Sequence, residues 1–252
     1  MDIKKEALRP VFRFLTYNWK LGLFLILLVG IPRFILVLDA NASSGGYGTV
    51  SIIFLIMWVV PFIFLSKEGR RYIGIKKPTN YLWLMASFFI GFVFCVLMFV
   101  CAKFLYADTI NNSFVYISRS YTIPGDALVV NKFMFFAMFS LVGMTYSPIG
   151  EELFYRGVVH GSFVDQFGGE TKASIFDSLA FALTHLAHFG IVYNMGGWEF
   201  LPVPAIMWVV GMFILSQLLF LCKQKTDSIL GAIIGHAGYN VGMMYVIFYH
   251  IF

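Results

Sequence analysis

The chain has 252 residues, of which 60% are apolar and only 12% charged. Apolar runs of about twenty residues recur along it, which excludes an ordinary soluble globular protein and predicts an all-α polytopic membrane bundle. The net charge of +5 does not point to nucleic acid, because the basic residues cluster in short loops beside the apolar runs.

In chain order, residues 1–20 interleave Lys4, Lys5, Arg9, Arg13 and Lys20 with Leu8, Val11, Phe12, Leu15 and Trp19, the pattern of an amphipathic helix lying on a membrane surface. A cleaved signal peptide, suggested by Ala40-Asn41-Ala42, is the weaker reading: the basic region is too long and Arg33 interrupts the apolar run. The first span is expected over about 21–38, kinked or loosened near Pro32-Arg33, and the second over about 48–66. A basic loop from Lys67 to Lys77 precedes a third span near 81–102. Residues 103–131 read as interfacial or re-entrant. Further spans are expected from about 132 through Pro148, at about 171–189, 202–222 and 229–250. The expectation is thus about seven or eight transmembrane helices plus the amino-terminal amphipathic helix. Three parts are distinguished: the interfacial helix 1–20, accessory spans and an outer loop over 21–130, and a core over 131–252. Cys95, Cys101 and Cys222 lie in apolar runs without metal-type spacing and read as core packing.

With the amino terminus inside, the inner segments hold fourteen of the eighteen Lys and Arg residues, and the outer ones hold Lys103, Arg119 and Lys132. This predicts a multi-pass protein of a cytoplasmic (inner) membrane with a cytoplasmic amino terminus. No repeat marks two similar halves, so a small transporter gains no support.

Charged side chains at membrane depth mark functional sites by default, and Gly150-Glu151-Glu152-Leu153-Phe154-Tyr155-Arg156-Gly157 carries three. Glu152 and Arg156 stand at i and i+4, the spacing of an ion pair, which leaves Glu151 as the free carboxylate. Its apolar surroundings suit it to act as a general base. Two later stretches answer it, Phe181-Ala182-Leu183-Thr184-His185 and His236-Ala237-Gly238-Tyr239-Asn240. If Gly168-Gly169 turns a helical hairpin, Glu151 and His185 lie roughly 26 and 24 Å from the turn at about 1.5 Å per residue, at matching depths on antiparallel helices. That requires one long helix over about 133–166, with Pro148 as the place for a bend. His236 and Asn240, again at i and i+4, share one face of the last helix. Gly231, Gly235, Gly238 and Gly242 collect on another face that a neighbour can approach closely. Thr226, Asp227 or Ser228 would cap this helix. His160 and His250 read as interfacial, His188, one turn beyond His185, as interfacial in preference to a supporting partner of the site, and Asp177 requires a partner or water that the sequence does not name.

A carboxylate, two imidazoles and a carboxamide can activate a water and stabilise the oxyanion of an attacked peptide carbonyl. In this order and spacing the three motifs resemble the CAAX prenyl protease and bacteriocin-processing family, also called CPBP or Abi proteins, over roughly 140–245. The resemblance implies an intramembrane endopeptidase. In it Glu151 and His185 would activate water, and His236 and Asn240 would hold the oxyanion. Glu152 and Arg156 would support the site, and Phe181 would pack behind His185. It also leaves a zinc or other divalent-metal site on Glu151, His185 and His236 as an alternative, although the closely spaced histidines of His-Glu-x-x-His proteases are missing. A glutamate-activated water that requires no cofactor is favoured. The expected partners are the lipid bilayer and a peptide or membrane-protein substrate. A bacteriocin leader, a peptide pheromone or a membrane-protein tail fits a prokaryotic chain better than a prenylated carboxyl terminus. A family member that only binds a peptide, as an immunity or scaffold protein, is the rival reading. The sequence specifies no oligomeric state.

Overall fold

The computed structural model describes residues 6–43, 47–121 and 123–252. Helices dominate it, as lipid dictates, since the only backbone partners available there are in the chain itself. Helix α1 runs from Trp19 to Ala42 and α2 from Gly48 to Phe64. A short α3 (Lys67–Tyr72) leads to α4 (Tyr81–Tyr106), and a short α5 (Ser113–Ser118) leads to α6. Helix α6 spans Gly125–Phe163, 39 residues. Next come α7 (Glu170–Thr184), the hairpin β1 (Ile191–Asn194) and β2 (Gly197–Phe200), α8 (Pro202–Thr226) and α9 (Ile229–Val246). Many helix starts follow from polar caps: the side chains of Asn18, Asn80, Asn112 and Ser228 accept hydrogen bonds from backbone N–H groups of the first turns of α1, α4, α5 and α9. Ser228 is thus the cap of the last helix.

Five helices among the described residues, α1, α4, α6, α8 and the segment Ile229–Ile251, are long and apolar enough to cross a membrane. The protein is a multi-pass helical membrane protein. These five account for most of the seven or eight expected spans, and the exact count is not confirmed. Helices α2 and α7 stand where two more were expected but have 17 and 15 residues. Helix α7 ends at Thr184, and a 3-10 turn over His185–Ala187 diverts the chain into the hairpin. Of the expected interfacial helix, residues 1–5 lie outside the described residues. Residues 8–18 contain a bridge from Leu8 to Leu65 and a 3-10 turn at Pro10–Phe12 instead of an α-helix, because Pro10 cannot donate into a continuing helix. The hairpin between α7 and α8 was not anticipated. Its turn has positive φ at both Met195 and Gly196, the backbone of a tight two-residue connection.

The long helix predicted through the Glu-Glu motif is present, and the turn after it uses Gly168 and Gly169 at φ 75° and 120°, a conformation glycine adopts at no steric cost. The backbone departs from helical geometry at Asn131, not at Pro148, and it widens to a π-helix over Glu152–Val159. The glycine face of α9 packs on α4: a Cβ at Gly91 would collide with the Gly235 carbonyl, and one at Gly238 with the Phe88 carbonyl. Cys95 and Cys222 are buried, as expected, while Cys101 faces outward.

The two ends of the bundle are distinct. At one end the backbone joins residues 7–9 to 64–66, and Thr79 and Gly74 to Thr226 and Ile229. At the other, Asn41 bonds the Ala187 carbonyl, the Tyr116 hydroxyl accepts from the Tyr193 amide, and Tyr47 stacks on His188. The core site lies between these ends.

Candidate active site

Glu151 closes the regular part of α6 and Glu152 opens its π-helical stretch, a widening that recurs at functional sites. From Gly150 to Phe163 every residue is buried. Three elements converge on Glu151: the 3-10 turn after α7 brings His185, α9 brings His236, and α1 brings Arg33. The Glu151 Oε2 atom lies 3.8 Å from His185 Nε2 and 4.0 Å from His236 Nε2. The depth match derived from helical rise is therefore met in space.

The expectation that Glu151 is unpaired is not met. Arg33 Nη2 donates to Glu151 Oε1 at 2.6 Å, and both side chains are about 1% exposed. The same nitrogen stands 3.5 Å from His185 Nε2 and 3.3 Å from His188 Nε2. Two buried carboxylates thus face two buried guanidiniums, Glu151 with Arg33 and Glu152 with Arg156, and burying such charges requires this kind of compensation. Arg33 carried a usable signal in the sequence, a charge inside an apolar span, but its partner lies 118 positions away and the spacing could not supply it. His188 likewise belongs to the site's wall and is not merely interfacial.

Glu152 does what the i, i+4 spacing predicted, with Arg156 Nε 3.2 Å from its Oε2. Its other oxygen takes a second contact, 2.8 Å from His236 Nδ1. Arg156 lies over the Phe181 ring, 4.0 Å from the centroid, and Phe181 packs against the His185 imidazole at 4.2 Å between centroids. The Phe181 carbonyl is 2.8 Å from His185 Nδ1. Each histidine therefore has a fixed Nδ1 partner and presents Nε2 toward Glu151, with the tautomers assigned from those partners. Asn240 sits on the same face of α9 as His236, but its amide nitrogen donates to the Gly143 carbonyl at 2.8 Å.

A cavity of about 350 Å³ adjoins these groups, lined by Arg33, Glu151, His185, His188, His236 and Asn240 together with Phe54, Tyr121, Phe139, Met212 and Met243. One wall is polar and the rest mostly apolar, as in small-molecule and peptide pockets generally. Among the described residues, no group of three or more His, Cys, Asp or Glu side chains has an arrangement that could hold a metal ion.

Residues 133–242 match the family of Rce1-like type II CAAX prenyl endopeptidases. The matched segment contains Glu151, Glu152, Arg156, Phe181, His185, His236 and Asn240, so the family drawn from the three motifs is the one found. Over this segment the chain is similar to membrane endopeptidases of the Rce1-like family. Neither a curated protein nor a solved structure matches the chain.

His160 and Asp177 form a second buried centre. His160 was expected at the interface but is 1% exposed. Its Nδ1 lies 2.6 Å from Asp177 Oδ2 and its Nε2 2.6 Å from Glu170 Oε2. The partner that Asp177 required is therefore His160, and this link joins α6, which carries Glu151, to α7, which ends one residue before His185.

Proposed function

We propose that the protein hydrolyses a peptide bond of a membrane-associated peptide or protein, with a water activated by Glu151 and His185. The observation that supports this reading most is the approach of Glu151 Oε2, which accepts no hydrogen bond, to two imidazole Nε2 atoms at 3.8 and 4.0 Å beside the cavity. These three atoms are acceptors in the assigned tautomers, and a water's two protons can satisfy two of them at a time, Glu151 Oε2 and one imidazole. A water held there has its proton aimed at a carboxylate and its lone pair turned to a carbonyl entering the cavity, which is the geometry of general-base attack.

In this reading Glu151 takes the water proton and His236 receives it as the tetrahedral intermediate forms. The Glu152 contact at Nδ1 balances the resulting imidazolium. His236 then donates from Nε2 to the leaving amine as the C–N bond breaks and the oxyanion collapses to the carbonyl. Asn240 Nδ2 donates to the Gly143 carbonyl at 2.8 Å and stands 3.4 Å from Ser147 Oγ, a long contact that a developing oxyanion would displace. Arg156 keeps Glu152 in place, and Phe181 sets the orientation of His185. Arg33 supplies the counter-charge of Glu151.

A divalent metal on Glu151, His185 and His236 suits this constellation poorly. The Arg33 guanidinium, 2.6 Å from Glu151 and 3.5 Å from His185 Nε2, would repel a cation placed between them. We therefore propose that neither zinc nor any other cofactor is required, and chelation should leave the cleavage rate unchanged. The decisive comparison is of membrane peptides in cells carrying wild-type protein, Glu151→Gln or His236→Ala. The reading predicts precursors that accumulate in both variants. Full cleavage by purified variants would overturn it. A phenotype that persists in both variants but is lost when the cavity is filled would favour the peptide-binding alternative.

A further inference from the structure

The cavity is open toward one end of the bundle and sealed toward the other. Away from Glu151 it runs past Ser51 and Tyr47 on α2 and its entry, and past Ile117, Ser120 and Tyr121 on the segment after α5. These belong to the end where Tyr47 stacks on His188 and Tyr116 holds the hairpin. In the opposite direction α6 continues as the wholly buried stretch 152–163, with Phe154, Tyr155 and Val159 each 0% exposed. The Tyr17 hydroxyl donates to the Val158 carbonyl and Lys223 to the Arg156 carbonyl, so side chains from α1's approach and from α8 close that side.

Charge distinguishes the same two ends. The sealed end carries Arg9, Arg13 and Lys20, the run from Lys67 to Lys77, Lys172, Lys223 and Lys225, whereas the open end carries Lys103 and Arg119, with Lys132 on α6 nearby. Basic loops are retained on the cytoplasmic side of a membrane. We propose that Glu151 is reached from the extracytoplasmic face, so that the substrate is a polypeptide segment presented outside the membrane or in its outer leaflet, with an apolar residue beside the scissile bond to fill the wall formed by Phe54, Phe139, Met212, Leu215, Met243 and Met244. The identity of the occupant as a cleaved peptide rests on the proteolytic reading; the direction of access does not.

The test is labelling by a membrane-impermeant maleimide in a Cys101→Ala background, which removes the exposed native thiol. Ser120→Cys and Ser51→Cys report the cavity mouth independently of each other. Met195→Cys, at a hairpin tip that is 97% exposed, reports the open end, and Lys77→Cys reports the basic end. In intact cells Met195→Cys and at least one mouth variant are expected to react, with that reactivity lost in sealed inverted vesicles. Lys77→Cys should behave in the opposite way. Mouth variants that react together with Lys77→Cys, or from neither side, would overturn the proposal. Because labelling requires no catalysis, outside labelling with no detectable cleavage would count against the proteolytic reading alone.

Discussion

The two halves of α6 are made for different surroundings. Before Pro148 the helix presents Val129, Phe133, Leu141 and Val142 outward, with Val129 82% exposed, and its apolar window is 6% buried. From Gly150 to Phe163 it is buried on every side and tied both to α7 and to the turn that follows α7. At Glu151 the link to His185 is loose, 3.8 Å beside a cavity. Nine residues later the link from His160 to Asp177 is tight, 2.6 Å with both groups about 1% exposed or less. A reacting centre must leave room for water and substrate, whereas a structural link is worth most when no gap remains. The difference between the two links therefore separates chemistry from support along one pair of helices.

The largest effect should come from the loose link. Glu151→Gln keeps an acceptor for Arg33 but removes the base, and cleavage should fall by about 10²–10⁴-fold while thermal unfolding in detergent shifts little. A variant that loses activity only in proportion to its loss of folded protein would make Glu151 a structural residue and erase the contrast.

Arg33→Gln tests whether the counter-charge can be spared. It would leave the Glu151 carboxylate buried without a cation, a loss of about 3–5 kcal/mol by analogy with other broken buried pairs. Unfolding temperature should drop sharply, and Arg33→Lys should restore part of it by returning the charge without the planar fork. Equal stability of Arg33→Gln and wild type would show that the pair carries no structural weight.

How far these roles could be read in advance depended on distance along the chain. Glu152 with Arg156 and His236 with Asn240 were legible because four residues return a side chain to the same helix face. The shared depth of Glu151 and His185 followed from rise per residue and one glycine turn. Arg33 and His160 were not assigned, since their partners are brought by packing of separate helices, and an isolated charge or imidazole in an apolar run does not name its neighbour. The expected span near 171–189 is shorter than predicted because local chemistry ended its helix early: the turn at His185–Ala187 uses residues with no strong helix-stopping signature, and the residues after it left only Asn194, Met195, Gly196 and Gly197 as a hairpin signal. Pro10, by contrast, was visible in the sequence, and its effect was outweighed in the reading by the periodic basic residues around it.

Asp177→Ala probes the tight link alone. His160 would keep Glu170 but lose its fully buried acceptor, and stability should fall by about 1–3 kcal/mol. Because the change lies away from the cavity lining, cleavage per folded molecule should stay near wild type at temperatures well below unfolding. A large drop in turnover without loss of stability would mean that the two links are coupled in the reaction and that support and chemistry are not separable along α6.

The smallest effect is expected at Lys223. Its ammonium group donates to the Arg156 carbonyl at 2.6 Å, within the π-helical stretch that sets the relation of Glu152 to His236. Lys223→Met keeps the apolar stem, and the side chain is only partly buried, so water can replace the lost donor and the cost should be about 1 kcal/mol. The informative readout is the split between kcat and KM for cleavage. If Lys223 only fills a carbonyl, the variant shifts unfolding slightly and leaves both kcat and KM unchanged. If it holds the π-helix in register, Glu152 moves relative to His236 Nδ1, the imidazolium formed in the reaction loses part of its balancing charge, and turnover falls with unchanged substrate affinity. That outcome would carry the support function of the sealed half of α6 into the reacting half, through one carbonyl.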